Sequence, residues 1–436
     1  MNNDGERASV VKLESNEPSE RKTYRLSVRL QQWNWALVDQ ALVSGTNFAV
    51  GILLVRYLGL EQYGKFVLGW MIVQFGMSIQ NALIVAPMLS LAPKISIAER
   101  AGFYGATMRL QAMLVLITAL CFLLVPLVPA AKLPSWLSAD VMLAVLTCLV
   151  LMQLQDYLRR NLFSRFYAKR VFWIDSIAYG AQVPLLFIVV RQYPTLHAAL
   201  GVIACALLIS IVIGYRWVGF APIPEGLTSS VARRHWRSSR WLLGSAILQW
   251  VSGNYFLIIC GALMGPAAVG AVKAAQNLLG VTHVLFQGLE NIVPGEASQR
   301  LEQAGRSGLA VYIIRTSLLL LSGTGLVALG GASFAEPLLR LVYGELDAHS
   351  VTAMAWFVPI YMLIAFSLPM RAGLRTLEST SAIFLACALT ALFALLSANQ
   401  LVGQHGIAGA MVGMLIVECI TAVVLTLSLV IKMRGS

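Results

Sequence analysis

Charge is scarce in this chain, and acidic charge is scarcest. Only 12% of the 436 residues are charged, with 20 Asp and Glu against 32 Lys and Arg. A soluble domain carries about 25% charged residues. With 58% hydrophobic residues and a mean hydropathy of +0.75, a water-soluble globule is excluded and a polytopic membrane protein is indicated. The apolar runs lack the regular ten-residue alternation of a transmembrane barrel, which leaves helices. Cysteine is sparse too. Positions 121, 148, 205, 260, 387 and 419 all lie within apolar runs, so neither a disulfide framework nor a metal cluster is expected. No Gly-rich loop ends in Gly-Lys-Ser or Gly-Lys-Thr, and no His/carboxylate cluster has metal-binding spacing. We therefore expect no cofactor, no metal and no enzyme activity. The driving force must come from a gradient, with proton or sodium coupling as the options, or from the substrate. The amino terminus lacks a short apolar core followed by a small-residue cleavage site, so the first span should direct insertion.

What is there is a succession of apolar stretches. Twelve spans are expected at about 33–55, 65–90, 106–128, 139–158, 173–191, 197–218, 240–263, 267–292, 308–330, 350–370, 379–400 and 406–431. With residues 1–30 as a disordered cytoplasmic tail, 26 of the 32 Lys and Arg fall on the tail's side. Five (Arg56, Lys65, Lys132, Arg191 and Arg340) fall on the other, and Lys273 lies within a span. This bias places both termini in the cytoplasm. The net charge of +12 borders the spans instead of forming a basic module, which points to anionic lipids and away from nucleic acid. The longest outward connection, from about Ala332 to His349, leaves no room for an outer catalytic domain. The largest inward one, 219–239, contains Pro222, Pro224 and Gly226. It then runs Arg233-Arg234-His235-Trp236-Arg237, which reads as a linker ending in a basic aromatic anchor at the headgroups.

Displacing the chain against itself by 206 residues sets Trp35 on Trp241, Gly59 on Gly265, Gly64 on Gly270, Arg109 on Arg315 and Arg165 on Arg371. The pattern indicates a duplicated six-helix unit, one copy over 31–218 and the other over 240–436. An even number of spans per copy makes the repeats parallel, with a binding site between them. The expected architecture is thus all-α, about twelve transmembrane helices in two parallel six-helix repeats around a central cavity.

The most informative stretch is Val269 to Asn291. It is apolar enough to span, yet Lys273, Gln276, Asn277, His283, Gln287, Glu290 and Asn291 recur every three or four residues, on one side of a helix. From Lys273 to Glu290 such a helix would rise roughly 25 Å, close to the hydrocarbon thickness. Either these two residues snorkel to opposite surfaces, or the stripe lines a path. Snorkelling leaves the amides and His283 unexplained. The second span repeats a shorter stripe through Gln74, Ser78 and Asn81, and the first and seventh add Asn47, Gln249 and Asn254.

Several charged residues have two readings. Asp39 lies about two turns into the first span and is either a proton or cation site, a gate ion pair, or a carboxylate solvated at the boundary. Asp175 and Glu418 are weaker candidates for the same roles, set against headgroup solvation of Asp175 near the cytoplasmic edge and a structural interhelical hydrogen bond from Glu418. Arg109 and Arg315 either converge on a cavity mouth, where two guanidiniums suit a diphosphate, or anchor to lipid phosphates. His283 is either a proton relay or a satisfied hydrogen-bonding group.

The segment Val55-Arg56-Tyr57-Leu58-Gly59-Leu60-Glu61-Gln62-Tyr63-Gly64-Lys65-Phe66 resembles the first hairpin of bacterial polysaccharide flippases of the multidrug/oligosaccharidyl-lipid/polysaccharide exporter superfamily. Met264-Gly265-Pro266-Ala267-Ala268-Val269-Gly270-Ala271-Val272-Lys273 resembles the hairpin that opens their second half. The resemblance, over about residues 30–432, implies two V-shaped bundles around a cavity lined by spans one, two, seven and eight. It implies an undecaprenyl-diphosphate-linked oligosaccharide as substrate, flipped across the inner membrane by alternating access for exopolysaccharide or O-antigen synthesis. The polysaccharide polymerase and export machinery would be partners. On that reading Lys273, Arg109 and Arg315 hold the diphosphate, and Asp39 or Glu290 couples an ion to the rocking. Two rivals stand beside it. A cation-coupled multidrug exporter shares the glycine-containing turns but should have an acidic, aromatic cavity. A membrane glycan polymerase or ligase should carry a substantial outer loop.

Overall fold

A computed structural model describes residues 18–124, 136–219, 223–344 and 348–434; the side chains of 18–33, 36, 37, 97, 281–285, 287, 288 and 290–292 also lie outside the description. The described chain is helical and carries no strand. Its helices are α1 (Pro18–Gln80), α2 (Ala86–Leu91), α3 (Ile97–Leu123), α4 (Ala139–Ser164), α5 (Ala168–Asp175), α6 (Gln182–Gln192) and α7 (Leu196–Val218). The rest are α8 (Leu227–Met264), α9 (Pro266–Leu278), α10 (Gly280–Ser333), α11 (Ala335–Tyr343), α12 (Ala348–Thr376) and α13 (Thr380–Arg434). Among the described residues nine stretches are long and apolar enough to cross a membrane. The fold is therefore an all-helical, multi-pass membrane fold.

Glycine bends within two continuous helices, together with a break at Leu279 in the eighth span, account for the difference between twelve spans and nine stretches. Gly59, at φ 75°, bends α1 into two arms, and Gly406, at φ 57°, does the same to α13. Ala304 and Gly305 break α10, and Leu279 separates α9 from α10. A residue with a β-carbon is strained at these positive φ values, so the bends at 59, 305 and 406 fall on glycine, whereas Leu279 breaks the helix at an ordinary negative φ. Each expected span falls on helical backbone apart from the single residues Leu124, Ala181, Leu279 and Ser379, and from residues 125–128 at the end of the third, which lie outside the described residues.

Three expectations need correction. Residues 18–30 belong to α1 instead of a disordered tail; residues 1–17 lie outside the description. The linker 219–239 is mostly helix, because α8 begins at Leu227 and runs unbroken into the seventh span. The stripe from Lys273 to Glu290 does not follow one straight helix, since the backbone turns at Leu279 (φ −84°, ψ 5°).

The two halves meet along α1, α8 and α9. Gly59 and Gly265 adopt the same extended positive-φ conformation, with ψ 169° and 168°. A β-carbon on Gly64 would collide with the Pro266 carbonyl, and one on Gly270 with the Leu60 carbonyl. The two hairpins thus cross backbone to backbone with pseudo-twofold symmetry. Only small residues permit this approach, which closes the end of the molecule that carries Gly59 and Gly265. A second matched pair of turns follows α4 and α12. The amides of Phe166 and Tyr167 bond the carbonyls of Phe163 and Leu162, as those of Glu378 and Ser379 bond Arg375 and Leu374. Phe166 and Glu378 are the two described non-glycine residues with positive φ. Counting back seven residues from each, Arg371 pairs with Arg159. The gap-free alignment had placed Arg371 on Arg165.

Candidate functional site

Below the crossed hairpins lies a cavity of about 310 Å³. The two arms of α1 supply most of its wall. Asn47, Val50 and Gly51 come from the first arm; Tyr63, Phe66, Val67, Trp70, Met71 and Gln74 come from the second. Met152 of α4, Tyr179 and Gln182 around the start of α6, and Ile203 of α7 complete one side. Asn254 of α8 and Lys273 of α9 close the other. The chemistry is that of amides and aromatic faces around one ammonium group; among the described residues no carboxylate lines the cavity. Phe66 stacks on Trp70 at 5.4 Å and on Tyr63 at 6.4 Å, which fixes a flat aromatic wall.

Lys273 Nζ donates to Gln276 Oε1 at 2.7 Å and has no carboxylate within ion-pair distance among the described residues. An ammonium held by an amide oxygen in an apolar surround keeps donors free for an anion. Gln276 also lies beside the Tyr361 hydroxyl, and so supports Lys273 without lining the cavity. Asn277 is an interhelical tie. Its Nδ2 donates to the Phe48 carbonyl at 3.2 Å, and its side chain fills the space a β-carbon on Gly51 would need.

Of the residues singled out from the sequence, Asn47, Gln74, Asn254 and Lys273 come together here. Asn81 and Gln249 are exposed elsewhere. Asn81 opens a single π-helical turn, Asn81–Val85, that ends the second arm of α1. Arg109 and Arg315 are exposed on α3 and α10, outside the cavity lining. The side chains of His283, Gln287 and Glu290 lie outside the described residues. Tyr179 and Gln182 went unnoticed because the fifth span shows no polar stripe; a lone glutamine near Asp175 was the available signal.

The second feature is an ion cluster buried in the first half. Arg159 of α4 reaches Asp39 Oδ2 through Nη2 at 2.7 Å and Asp175 Oδ2 through Nε at 2.5 Å. Gln155 Nε2 donates to Asp175 Oδ1 at 2.6 Å. Asp39 and Asp175 are each 0% exposed. Headgroup solvation of Asp175 is thereby corrected: the carboxylate is sealed against a guanidinium. The arginine was missed because Arg159 and Arg160 adjoin at what reads as a cytoplasmic boundary. Asp39 Oδ1 is buried without a hydrogen-bond partner among the described residues. Two carboxylates around one guanidinium leave one excess negative charge in a site closed to water, and such a charge draws a proton or a cation.

In the second half Arg371 occupies the place of Arg159. Its Nε is buried without a partner among the described residues, and it lies close enough to Glu418 for their charges to interact. No hydrogen bond of Glu418 is found among the described residues.

Residues 242–399 match the MatE family model. A search of curated protein sequences finds no match. Solved structures resemble the chain over most of its length at low identity. An inward-facing multidrug resistance MATE family transporter of the MOP superfamily aligns at TM-score 0.74 and 12% identity, covering 91% of this chain and 95% of its own. The lipid II flippase MurJ, in an inward closed conformation, aligns at 0.69 and 12%, covering 92% and 87%. A MOP superfamily transporter from Pyrococcus furiosus, described as having a binding pocket of reversed polarity, aligns at 0.57 and 11%, covering 94% and 96%. The fold is that of the MATE and MOP transporters.

Proposed function

We propose that the chain is a flippase carrying undecaprenyl-diphosphate-linked oligosaccharide across the bacterial cytoplasmic membrane, for exopolysaccharide or O-antigen assembly. The observation that carries this reading is Lys273, an ammonium that has no counter-ion among the described residues, in a cavity whose described lining holds no carboxylate. In an apolar surround an unpaired cation repels organic cations and attracts a diphosphate. Asn47, Gln74, Gln182 and Asn254 offer donors and acceptors to sugar hydroxyls, and Phe66 and Trp70 a flat face to sugar rings. The cavity, at the small end of ligand sites, suits the diphosphate with its first sugars while the lipid tail stays in the bilayer. The crossed hairpins at Gly64 and Gly270 form one gate, and alternating access consists of their separation while the opposite end closes. Proton or sodium uptake at the Asp39–Arg159–Asp175 cluster supplies the coupling. Neutralising one carboxylate loosens the hold of α4 on the first arm of α1, which lines the cavity. Both termini are cytoplasmic, and a polymerase with its export machinery receives the product.

The second reading is a cation-coupled multidrug exporter, favoured by the MatE match and by the aromatic wall. Proteoliposomes holding the purified chain distinguish the two. Fluorescent undecaprenyl-diphosphate oligosaccharide is followed between leaflets alongside an organic-cation dye, with Lys273→Glu as control. Movement of the glycolipid, lost in the variant, is expected. Gradient-driven dye accumulation with an immobile glycolipid would overturn the flippase.

A further inference from the structure

The first four turns of α8 hold a concentration of charge outside the cavity. Arg233, Arg234, Trp236, Arg237, Arg240 and Trp241 are exposed, whereas Val231, His235 and Ser239 are buried. At about 100° per residue the exposed six occupy roughly a 160° arc and the buried three roughly an 80° arc opposite. None of the four arginines has a carboxylate partner among the described residues, and no Asp or Glu occurs from Leu227 to Met264. The Arg240 guanidinium rests over the Trp241 ring at 5.8 Å. The helix continues directly into an apolar span, so this face lies at the level of the lipid headgroups.

The buried side is built into the first half. His235 Nδ1 lies 3.3 Å, and Ser239 Oγ 3.4 Å, from the Leu83 carbonyl, in the π-helical turn that ends the second arm of α1. Pro87 has no amide hydrogen, so it cannot supply the α-helical donor that Leu83 would otherwise receive. The His235 ring packs on Phe103 at 6.0 Å.

We infer that this face is a docking surface for phospholipids with anionic headgroups, and that its occupancy is transmitted through His235 and Ser239 to the arm of α1 that carries Gln74 and Trp70. Charge complementarity selects the occupant. Four unpaired guanidiniums flanked by two tryptophans at headgroup depth match phosphates with no other cation nearby, and a zwitterionic headgroup brings its own.

The test uses native mass spectrometry of the purified full chain in detergent, with phosphatidylglycerol or phosphatidylcholine added. Retention of phosphatidylglycerol should exceed that of phosphatidylcholine and fall with added salt. It should drop by at least about tenfold in the variant Arg233→Gln/Arg234→Gln/Arg237→Gln/Arg240→Gln. Lys432→Gln/Arg434→Gln, at the end of α13, should retain the lipid as the parent does. Equal retention of the two lipids, or salt-independent retention by the unmodified chain, would overturn the inference even if the quadruple variant failed to fold. A variant that keeps phosphatidylglycerol but loses self-association would assign the face to a second copy instead. None of these readouts depends on which molecule is transported.

Discussion

The α-carbon of Gly64 lies against the carbonyl of Pro266 so closely that no β-carbon fits between them, and Gly270 stands in the same relation to Leu60. The obstacle in each case is backbone, which cannot rotate aside as a side chain does. The closed form of this end therefore depends on two glycines, one from each half, and the paired contacts should break together.

Gly64→Ala or Gly270→Ala should pry the hairpins apart. Overpacking of this kind costs about 1–3 kcal/mol, enough to shift a balanced equilibrium between closed and open ends by roughly fivefold or more. Spin labels on Glu61 and Ala267 should report a longer, broader distance distribution, with folded yield preserved. Unchanged distances would remove the crossing from the gating mechanism.

Arg159→Ala should be the most destabilising change in the ion cluster. It leaves two buried carboxylates facing each other, a loss of about 3–5 kcal/mol for a broken buried pair. Asp39→Asn should be milder, because Oδ1 has no donor to lose and the excess charge disappears. The order of melting temperatures in detergent checks this: parent and Asp39→Asn well above Arg159→Ala. The reverse order would contradict the charge count.

Lys273→Ala should lower glycolipid movement by about tenfold to a hundredfold, the worth of one charge-assisted hydrogen bond of about 1.5–3 kcal/mol, without lowering the amount of inserted protein. Lys273→Arg should retain part of the rate. Initial rates normalised to reconstituted protein decide it, and an unaffected Ala variant takes the residue out of the mechanism.

Asn277→Leu should weaken the packing of α9 on the first arm of α1, since the Phe48 carbonyl loses its side-chain donor. A loss of about 1 kcal/mol is expected, visible as a lower melting temperature with cavity binding otherwise intact. Gly51→Ala should lower the melting temperature in the same way, because the added methyl meets the Asn277 amide at 2.6 Å.

Much of the fold was legible in sequence. Hydrophobic length is a one-dimensional property, so each apolar run falls on a helix, and Gly59 and Gly265 mark the hairpin bends. The site was legible only in part. Lys273, Asn47, Gln74 and Asn254 stood out as polar groups in apolar runs and meet at one cavity. Gln276 and Asn277 stood out equally, yet serve Lys273 and the Phe48 carbonyl. Periodicity tells which side of a helix a residue occupies and leaves open what faces it.

Amino-acid sequence alone determined that this chain lives in a bilayer as helices, because burying 58% hydrophobic residues with so few charges leaves no other solvent for it. Tertiary structure decided the pairings. Asp39, Arg159 and Asp175 are separated by up to 136 residues yet share one buried cluster, and Gly64 finds Pro266 across the two halves. Such contacts depend on helix rotation and on where the chain bends, at Leu279 and Gly406 among others. Those are set by close packing between segments, whose energy is shared among many small contacts and so leaves no mark on any single stretch of sequence.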